Sequence, residues 1–223
     1  MEASGSFAEL VVQQNARLDI GTALIAAHAH PGLDVGGVVT TLDELAAACP
    51  SNDLDGLCSY LFDDCGFAGN TVDYYDPENS FIDTVLLRRI GIPITLSVVL
   101  IEVARRIGLD LVGVGLPGHF VVRDAHDTTR LIDPFNGGRR LDEAGCEAML
   151  SQLQGRQVTL HPSWLAAVDH RAILWRILTN LKGCYTQRNN RFDLAWVLSL
   201  RCQFPDAPES EFEEARRANA IFN

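Results

Sequence analysis

One segment near the middle of the chain constrains the fold more than any other: residues 93–108, PITLSVVLIEVARRIG. Pro93 suits the first turn of a helix, where a missing N–H is tolerated, and Gly108 suits the position just after the helix end. From Leu96 to Ala104 the segment is apolar nearly all the way round, which is typical of a helix buried on several sides. The sequence therefore predicts a central core helix on which other elements pack.

Three short segments after this helix have the composition of β-strands: residues 111–116, 119–123 and 129–133. Their short connections favour antiparallel hairpins over parallel crossovers. The stretch GVGLPG (113–118) matches the G-x-G-x-x-G pattern of dinucleotide-binding loops. That fingerprint must open a helix, whereas a strand-like segment follows here, so we interpret it as a turn between two strands.

The segment before the core helix has helical periodicity and no strand-like alternation. Short helices are predicted over residues 7–68, with Asn52 or Asp53 as the cap of the third. Asn79 is predicted to cap the helix that immediately precedes the core helix, and Gly91 to stop it.

The C-terminal region is predicted to be helical again. Asp169 can cap a helix whose apolar stripe contains Ile173, Leu174, Ile177, Leu178 and Leu181. A second helix follows, and the pair either forms a tetratricopeptide-type hairpin or simply packs on the core. The chain is thus divided into an N-terminal helical region (1–78), a core (79–161) and C-terminal helices (162–223).

Charge and composition exclude several function classes. The 18 Lys and Arg residues against 29 Asp and Glu give a net charge of −11, which disfavours nucleic acids and anionic membranes as partners. No apolar run approaches the ~18 residues of a spanning helix, and the N-terminus lacks a signal-peptide pattern, so we expect a cytoplasmic protein. His28 and His30 are two apart on a helix and do not face each other, so we expect no metal site, and no cofactor is indicated.

The six cysteines are at positions 49, 58, 65, 146, 184 and 202, without any C-x-x-C spacing. This pattern predicts neither a zinc site nor a disulfide framework. We expect free thiols that mostly pack as small apolar residues, although one of them could still serve as a nucleophile.

The most informative polar pair is His119 and Asp133, each on a predicted strand. If the connecting loop 124–128 is symmetric about His126, the two residues are directly opposite, with Cβ atoms ~4.5–5.5 Å apart. A carboxylate beside a histidine fixes its tautomer and raises its basicity, as in the base–orienter half of a catalytic triad. A one-residue slip would put them on opposite faces. From these residues alone, a structural contact and a catalytic one both remain open.

Long motifs in the chain resemble the SirB-type branch of the transglutaminase-like superfamily. They are NSFIDTVLLRRIGIPITLSVVLIEVARRIGL (79–109), GVGLPGHFVVR (113–123), LIDPFNGGRRL (131–141) and, before them, FAGNTVDYYDPENS (67–80). The resemblance implies a papain-like α+β fold, in which a buried helix packs against a small antiparallel sheet that carries the histidine and the aspartate. It also implies N-terminal helices and a C-terminal helical hairpin around that core.

The chain departs from the family pattern at the position of the nucleophile. Transglutaminases and related peptidases place a cysteine at the start of the core helix, and that position falls on Pro93 here. The nearby hydroxyls of Thr95 and Ser97 do not match the nucleophile position. Two thirds of a triad are therefore present, His119 and Asp133, without the group that would form an enzyme thioester.

Three functions follow as hypotheses. The first is a non-catalytic module that binds a protein or peptide through the former active-site groove; its candidate lining residues are Pro93, Pro117, Gly118, Phe135 and Asn136. The branch also occurs inside multidomain proteins, including an F-box component of a ubiquitin ligase, which agrees with recognition. The second is a hydrolase or acyltransferase in which the retained pair acts with a non-standard nucleophile. The third is a purely structural pair.

Overall fold

The computed structural model describes residues 3–220. Its α-helices are α1 (Ala3–Val11), α2 (Leu18–Ala29), α3 (Val35–Ala48), α4 (Leu54–Cys58), α5 (Ile82–Arg88), α6 (Pro93–Arg106), α7 (Glu143–Gln154), α8 (His170–Gln187), α9 (Arg191–Arg201) and α10 (Glu209–Asn219). Helix α4 continues into a π-helical turn (Ser59–Asp64), and 3₁₀ turns occupy Pro77–Ser80, Pro134–Asn136 and Pro162–Leu165.

The strands form two sheets. A short parallel pair, β1 (Ala68–Gly69) and β2 (Ile90–Gly91), lies directly before α6 in the fold. The main sheet is antiparallel, in the order β6-β5-β4-β3-β7, and consists of β3 (Leu111–Leu116), β4 (His119–Asp124), β5 (Leu131–Asp133), β6 (Arg139–Leu141) and β7 (Ala167–Val168). The predicted α+β arrangement is confirmed, with antiparallel hairpins where the short connections indicated them.

Helix α6 is the centre of the core, as predicted. Every residue from Pro93 to Ala104 is buried, and α6 packs against β3 and β4 on one side and α2, α3 and α5 on others. Pro93 is its first residue, and Gly108 follows its end with a φ of 84°, a left-handed conformation that glycine adopts without strain.

The N-terminal helices and the C-terminal pair join one continuous apolar cluster with α6. Phe7 of α1, Leu178 of α8 and Phe204 after α9 all belong to it. Asp53 caps α4 and Asp169 caps α8, as predicted, by accepting backbone N–H bonds from Gly56 and Ala172. The three-part division of the chain and the tetratricopeptide comparison stay predictions.

A second apolar cluster lies on the other face of the sheet, beneath α7. It contains Val114, Val121, Leu131 and Cys146. The alternation of side chains along β4 explains the two clusters, because Phe120 and Val122 face α6 while Val121 faces α7.

The predicted register between β4 and β5 is wrong by two residues. The structure pairs Val122 with Ile132 and Arg123 with Leu131, so the connecting loop is longer than expected and centred on Asp127. The Asp124 carboxylate accepts backbone N–H bonds from His126 and Asp127, which holds the longer loop. A shift of two residues, unlike a shift of one, leaves every side chain on its predicted face.

The predicted role of Asn79 as a helix cap is also wrong. Helix α5 begins later, with Phe81 as its N-cap residue, and Asn79 lies in the preceding 3₁₀ turn. The helix ends at Arg88, and its C-cap residue Arg89 has a left-handed φ of 60°. Gly91 therefore does not stop the helix and instead belongs to β2.

Candidate functional site

His119 and Asp133 lie in direct contact at one end of the main sheet. The Nε2 atom of His119 is 3.0 Å from Oδ1 of Asp133, and both side chains are at most 5% exposed. His119 is the first residue of β4, directly after the turn made by Pro117 and Gly118. Gly118 has a φ of 78°, the positive value that this tight turn requires.

Asp133 is fixed by the turn that follows it. Its Oδ1 accepts hydrogen bonds from the backbone N–H groups of Phe135 (3.2 Å) and Asn136 (3.4 Å), and its Oδ2 accepts one from Nδ2 of Asn136 (2.7 Å). Burial by itself raises the pKa of the Asp133 carboxyl, but the hydrogen bonds from His119 and Asn136 outweigh it and lower the pKa below its usual value. The carboxylate is therefore ionised and immobile at neutral pH.

The ionised carboxylate sets the tautomer of His119. Since Asp133 can only accept, Nε2 of His119 carries the proton and donates it, which leaves the lone pair on Nδ1. Within residues 3–220, Nδ1 has no hydrogen-bond partner. It is not among the polar atoms that are both fully buried and without a partner, so it is not completely shielded from solvent. The imidazole can thus accept a proton or a hydrogen bond from a bound molecule through Nδ1.

An aromatic surface adjoins the imidazole. The rings of Phe135 and His119 pack edge-to-face, with their centroids 6.1 Å apart. The ring centroids of Tyr74 and Phe135 are 5.9 Å apart, and those of Tyr75 and Tyr74 are 5.3 Å apart. Tyr74 is 37% and Tyr75 56% exposed. These three side chains, Tyr74, Tyr75 and Phe135, are called the aromatic rim below.

Asn79 holds the loop that carries the two tyrosines. Its Nδ2 donates to the carbonyls of Asp73 (2.8 Å) and Tyr74 (3.2 Å), and its Oδ1 accepts from Asn70 (2.9 Å). The carbonyl of Asn79 accepts a 2.7 Å bond from the Thr95 hydroxyl in the first turn of α6. Sequence reasoning missed this role; the one signal for it is the motif FAGNTVDYYDPENS, which contains both asparagines.

The start of α6 offers no reactive group. Pro93 is buried at the first helical position. The Thr95 hydroxyl donates to the Asn79 carbonyl, and the Ser97 hydroxyl donates to the Pro93 carbonyl at 2.7 Å. Both hydroxyls are buried and bonded to backbone, so neither is placed as a nucleophile.

Four of the six cysteines have environments that disfavour the reactive thiolate. Burial raises the pKa of Cys58 to about 12. Burial, with the charge of Asp133 as a further cause, raises the pKa of Cys146 to about 11. Burial also raises the pKa of Cys184 and of Cys202. Because the thiolate is the nucleophilic form, these four behave as packing residues.

The structure brings most of the predicted site residues to one place. Phe135 and Asn136 contact His119 or Asp133 directly, Pro117 and Gly118 form the turn before His119, and the turn Pro134–Asn136 packs against α6, whose first residue is Pro93. Between residues 3 and 220 no group of three His, Cys, Asp or Glu side chains is arranged to hold a metal ion. Nor does any helix in that range have the length and apolar character that a membrane crossing requires.

A cavity of about 910 Å³ lies away from this site. It is lined by charged residues that include Arg17, Asp43 and Arg106, together with Val112 of β3. Val112 pairs with Arg123, whereas His119 pairs with Leu116 at the other end of the same hairpin. The cavity and the His119 site are therefore at opposite ends of β3.

Known proteins resemble the chain over much of its length. A UPF0162 protein of Xylella fastidiosa (strain 9a5c) is 41% identical over 161 residues, covering 68% of this chain and 56% of that protein. Protein SirB1 of Salmonella typhimurium is 28% identical over 162 residues, covering 72% and 59% respectively. Human F-box only protein 21 is 33% identical over 138 residues, which cover 57% of this chain and 21% of that protein.

The chain thus spans little more than half the length of its bacterial relatives, and no solved structure matches it. The family model described as the transglutaminase-like superfamily matches residues 35–179, which contain α6, the main sheet and the His119–Asp133 pair. The chain therefore belongs to the transglutaminase-like superfamily, in the branch that includes SirB1 and the UPF0162 proteins.

Proposed function

We propose that this chain is a non-catalytic transglutaminase-like module that binds a protein or peptide on the surface around His119. The single observation that carries the proposal is at the start of α6. Pro93 is its first residue, the position that the resemblance assigns to the nucleophile, and the hydroxyls of Thr95 and Ser97 are bonded to backbone carbonyls. Acyl transfer through an enzyme thioester has no starting group at this helix.

Support for a protein or peptide as the partner comes from the aromatic rim. Tyr75 is more than half exposed, and Val72 on the same loop is 97% exposed. Tyrosine is enriched in protein interfaces because its ring buries a large area while its hydroxyl keeps a hydrogen bond. We assign Pro117, Gly118, Phe135 and Asn136 to the same proposed binding surface as the rim. Pro93, the remaining candidate, is buried at the start of α6 and is not itself exposed to a partner.

The relatives agree with a module that works within larger proteins. The matching region makes up only 21% of human F-box only protein 21. All six cysteines of the present chain are free, which fits a reducing compartment, and we propose the cytoplasm. The net charge of −11 favours a protein partner over nucleic acid.

A photo-crosslinking experiment in the source cell tests this proposal. The crosslinking amino acid p-benzoylphenylalanine is placed at Tyr75 and, as the control, at Leu153, an exposed residue of α7. We expect one protein to crosslink at Tyr75 but not at Leu153, and the crosslink to weaken when His119→Ala is added. Equal crosslinking at both positions, or none at Tyr75, contradicts the proposal.

A second function is favoured by one observation, the intact His119–Asp133 contact at 3.0 Å with a free Nδ1. In this alternative the chain is a hydrolase or acyltransferase, and His119 is the general base for a water molecule or a substrate hydroxyl. Such a base contributes typically ~10²–10⁴-fold to a rate. A panel of activated esters and peptides tests it. The alternative requires turnover that His119→Gln lowers about 100-fold or more; a rate unaffected by that change excludes it.

A further inference from the structure

Helix α8, the first long helix of the C-terminal region, contacts the turn that precedes His119. Nη2 of Arg176 donates to the carbonyl of Leu116 at 2.8 Å and to the carbonyl of His119 at 2.7 Å. We propose that Arg176 is a positioning residue for His119, so that α8 completes the His119 site. This inference rests on the proposed function only in taking His119 as the centre of that site.

The two carbonyls belong to the last residue pair of the hairpin. Leu116 pairs with His119 on either side of Pro117 and Gly118, where the ladder ends and no further strand pairing restrains the backbone. One guanidinium nitrogen that bonds both carbonyls ties the two strands together at this point. Arginine suits the task because its planar group presents several donors in a fixed geometry.

The position of the His119 backbone in turn determines whether its imidazole is within hydrogen-bonding distance of Asp133. Asp133 is immobilised independently, from β5 and from the turn Pro134–Asn136. The Nε2–Oδ1 distance of 3.0 Å is already typical of a hydrogen bond, and the bond is lost at about 3.6 Å. A backbone displacement of less than ~1 Å at His119 is therefore enough to break it.

The surroundings of the guanidinium argue against a role in stability alone. Between residues 3 and 220, Arg176 has no ion pair; its group lies over the Phe120 ring at 5.4 Å, and burial lowers its pKa. By contrast, the guanidinium of Arg201 in α9 is paired with Glu211 through two 2.8 Å bonds. A desolvated cation without a counter-charge contributes less to the free energy of folding than a paired one. The presence of Arg176 is therefore better explained by the backbone geometry that it imposes on Leu116 and His119.

The glycines of the G-x-G pattern make room for this contact. A Cβ atom at Gly115 would lie 3.0 Å from Nη1 of Arg176, and one at Gly113 would lie 2.6 Å from the Phe120 ring on which the guanidinium rests. Glycine at positions 113 and 115, the residues that resemble a dinucleotide-binding loop, is thus explained by the space that the Arg176 side chain and the Phe120 ring occupy.

Solution NMR of the ligand-free protein tests the assignment. The variants are Arg176→Met, Arg176→Lys and, as the control on the same helix, Arg171→Met. Arg171 lies five residues before Arg176 on α8, and its Nε is 4.0 Å from Oδ2 of Asp169. The readouts are the ¹⁵N shifts of the His119 ring, which report the tautomer, and the rate at which its Nε2 proton exchanges with water. The His119 signals are assigned with His119→Gln.

In Arg176→Met we expect the Nε2 proton to exchange about tenfold faster, the order of one lost net hydrogen bond, and the Nδ1–H tautomer to become populated. Arg176→Lys should restore the wild-type signals in part, and Arg171→Met should match the wild type. Unfolding by urea is measured in parallel. Lowered stability with unchanged His119 signals in Arg176→Met overturns the proposal. If that variant does not fold, Gly115→Ala, which crowds the guanidinium without removing it, must shift the His119 signals or the proposal fails.

No ligand enters this experiment, so its outcome is independent of the crosslinking result. A perturbed imidazole in Arg176→Met together with absent crosslinks at Tyr75 would leave the positioning role intact and remove the binding function. An unperturbed imidazole in Arg176→Met together with crosslinks at Tyr75 would overturn the positioning role and leave the binding function intact.

Discussion

Asp133 binds His119 diagonally across the sheet. In the observed register, His119 extends past the last β4–β5 pair, and β5 ends at Asp133, which pairs with Arg139 of β6 instead. Side chains at diagonal positions of an antiparallel pair are within reach when they are long, and the imidazole spans the gap at 3.0 Å. The contact therefore depends on where β5 ends, and that end is fixed by the turn Pro134–Asn136.

Replacing Asp133 changes how stability depends on pH. The folded state lowers the pKa of this carboxyl, so its contribution is complete above the unfolded value of ~3.9 and is lost as the pH falls through the folded value. Asp133→Asn should destabilise the protein at pH 7 by ~1–3 kcal/mol, and the difference from wild type should shrink as the pH falls below about 4. Urea unfolding at several pH values measures it.

Asp64→Asn, at an exposed position, is the control and should differ little from wild type at any pH. A destabilisation by Asp133→Asn that is constant down to pH 3 would show that the carboxylate's charge contributes nothing.

A buried ion cluster fastens the N-terminal helices to α6. Asp19 of α2 is fully buried and accepts hydrogen bonds from Arg17 (2.6 Å) and Arg106 (2.9 Å). Asp19→Ala removes the buried carboxylate that Arg17 and Arg106 share, while Arg106 keeps Glu102 at 2.6 Å as an ion-pair partner. The lost hydrogen bonds should cost ~1–3 kcal/mol. Asp43 binds the same Arg106 at 2.6 Å, but its side chain is 61% exposed, so Asp43→Ala should cost at most ~1 kcal/mol. Equal losses in chemical denaturation would refute this reading of burial.

Asn79 should control the mobility of the tyrosine loop. Asn79→Ala leaves the carbonyls of Asp73 and Tyr74 without their donors, and we expect ~1–3 kcal/mol of lost stability. Hydrogen exchange of residues 70–76 should accelerate more than that of α9. Asn190→Ala removes the cap of α9, at a cost of ~1 kcal/mol, and should produce the opposite pattern. Uniform acceleration in both variants would mean that Asn79 does not act locally.

Pro93→Cys tests whether Pro93 occupies the nucleophile position. A thiol at the first residue of α6 lies at a helix N-terminus, where the dipole favours the thiolate. We expect iodoacetamide to label this cysteine faster than the four cysteines whose pKa values are raised, as measured by mass spectrometry of digested protein. Adding His119→Gln should slow the labelling of position 93 alone. An unchanged labelling rate at position 93 in the His119→Gln variant would show that Pro93 does not belong to the His119 site.

The sequence by itself determined the elements whose signals are local. The apolar segment that forms α6, the strands β3 and β4, and the caps Asp53 and Asp169 all depend on neighbours within a few residues, and all are confirmed. It also placed His119 and Asp133 on the same face, because that depends only on the period of two along each strand.

The tertiary structure alone decided what depends on distant partners. The β4–β5 register followed from side-chain bonds in the loop around Asp127, which lengthen it beyond the symmetric loop assumed from the sequence. Asn79 reads as a cap by its residue type, yet its carbonyl accepts from Thr95, 16 residues away. Arg176 lies 57 residues from His119 and carries no local signal at all. Periodicity and capping report short-range geometry, whereas these contacts exist only after the helices have packed on the sheet.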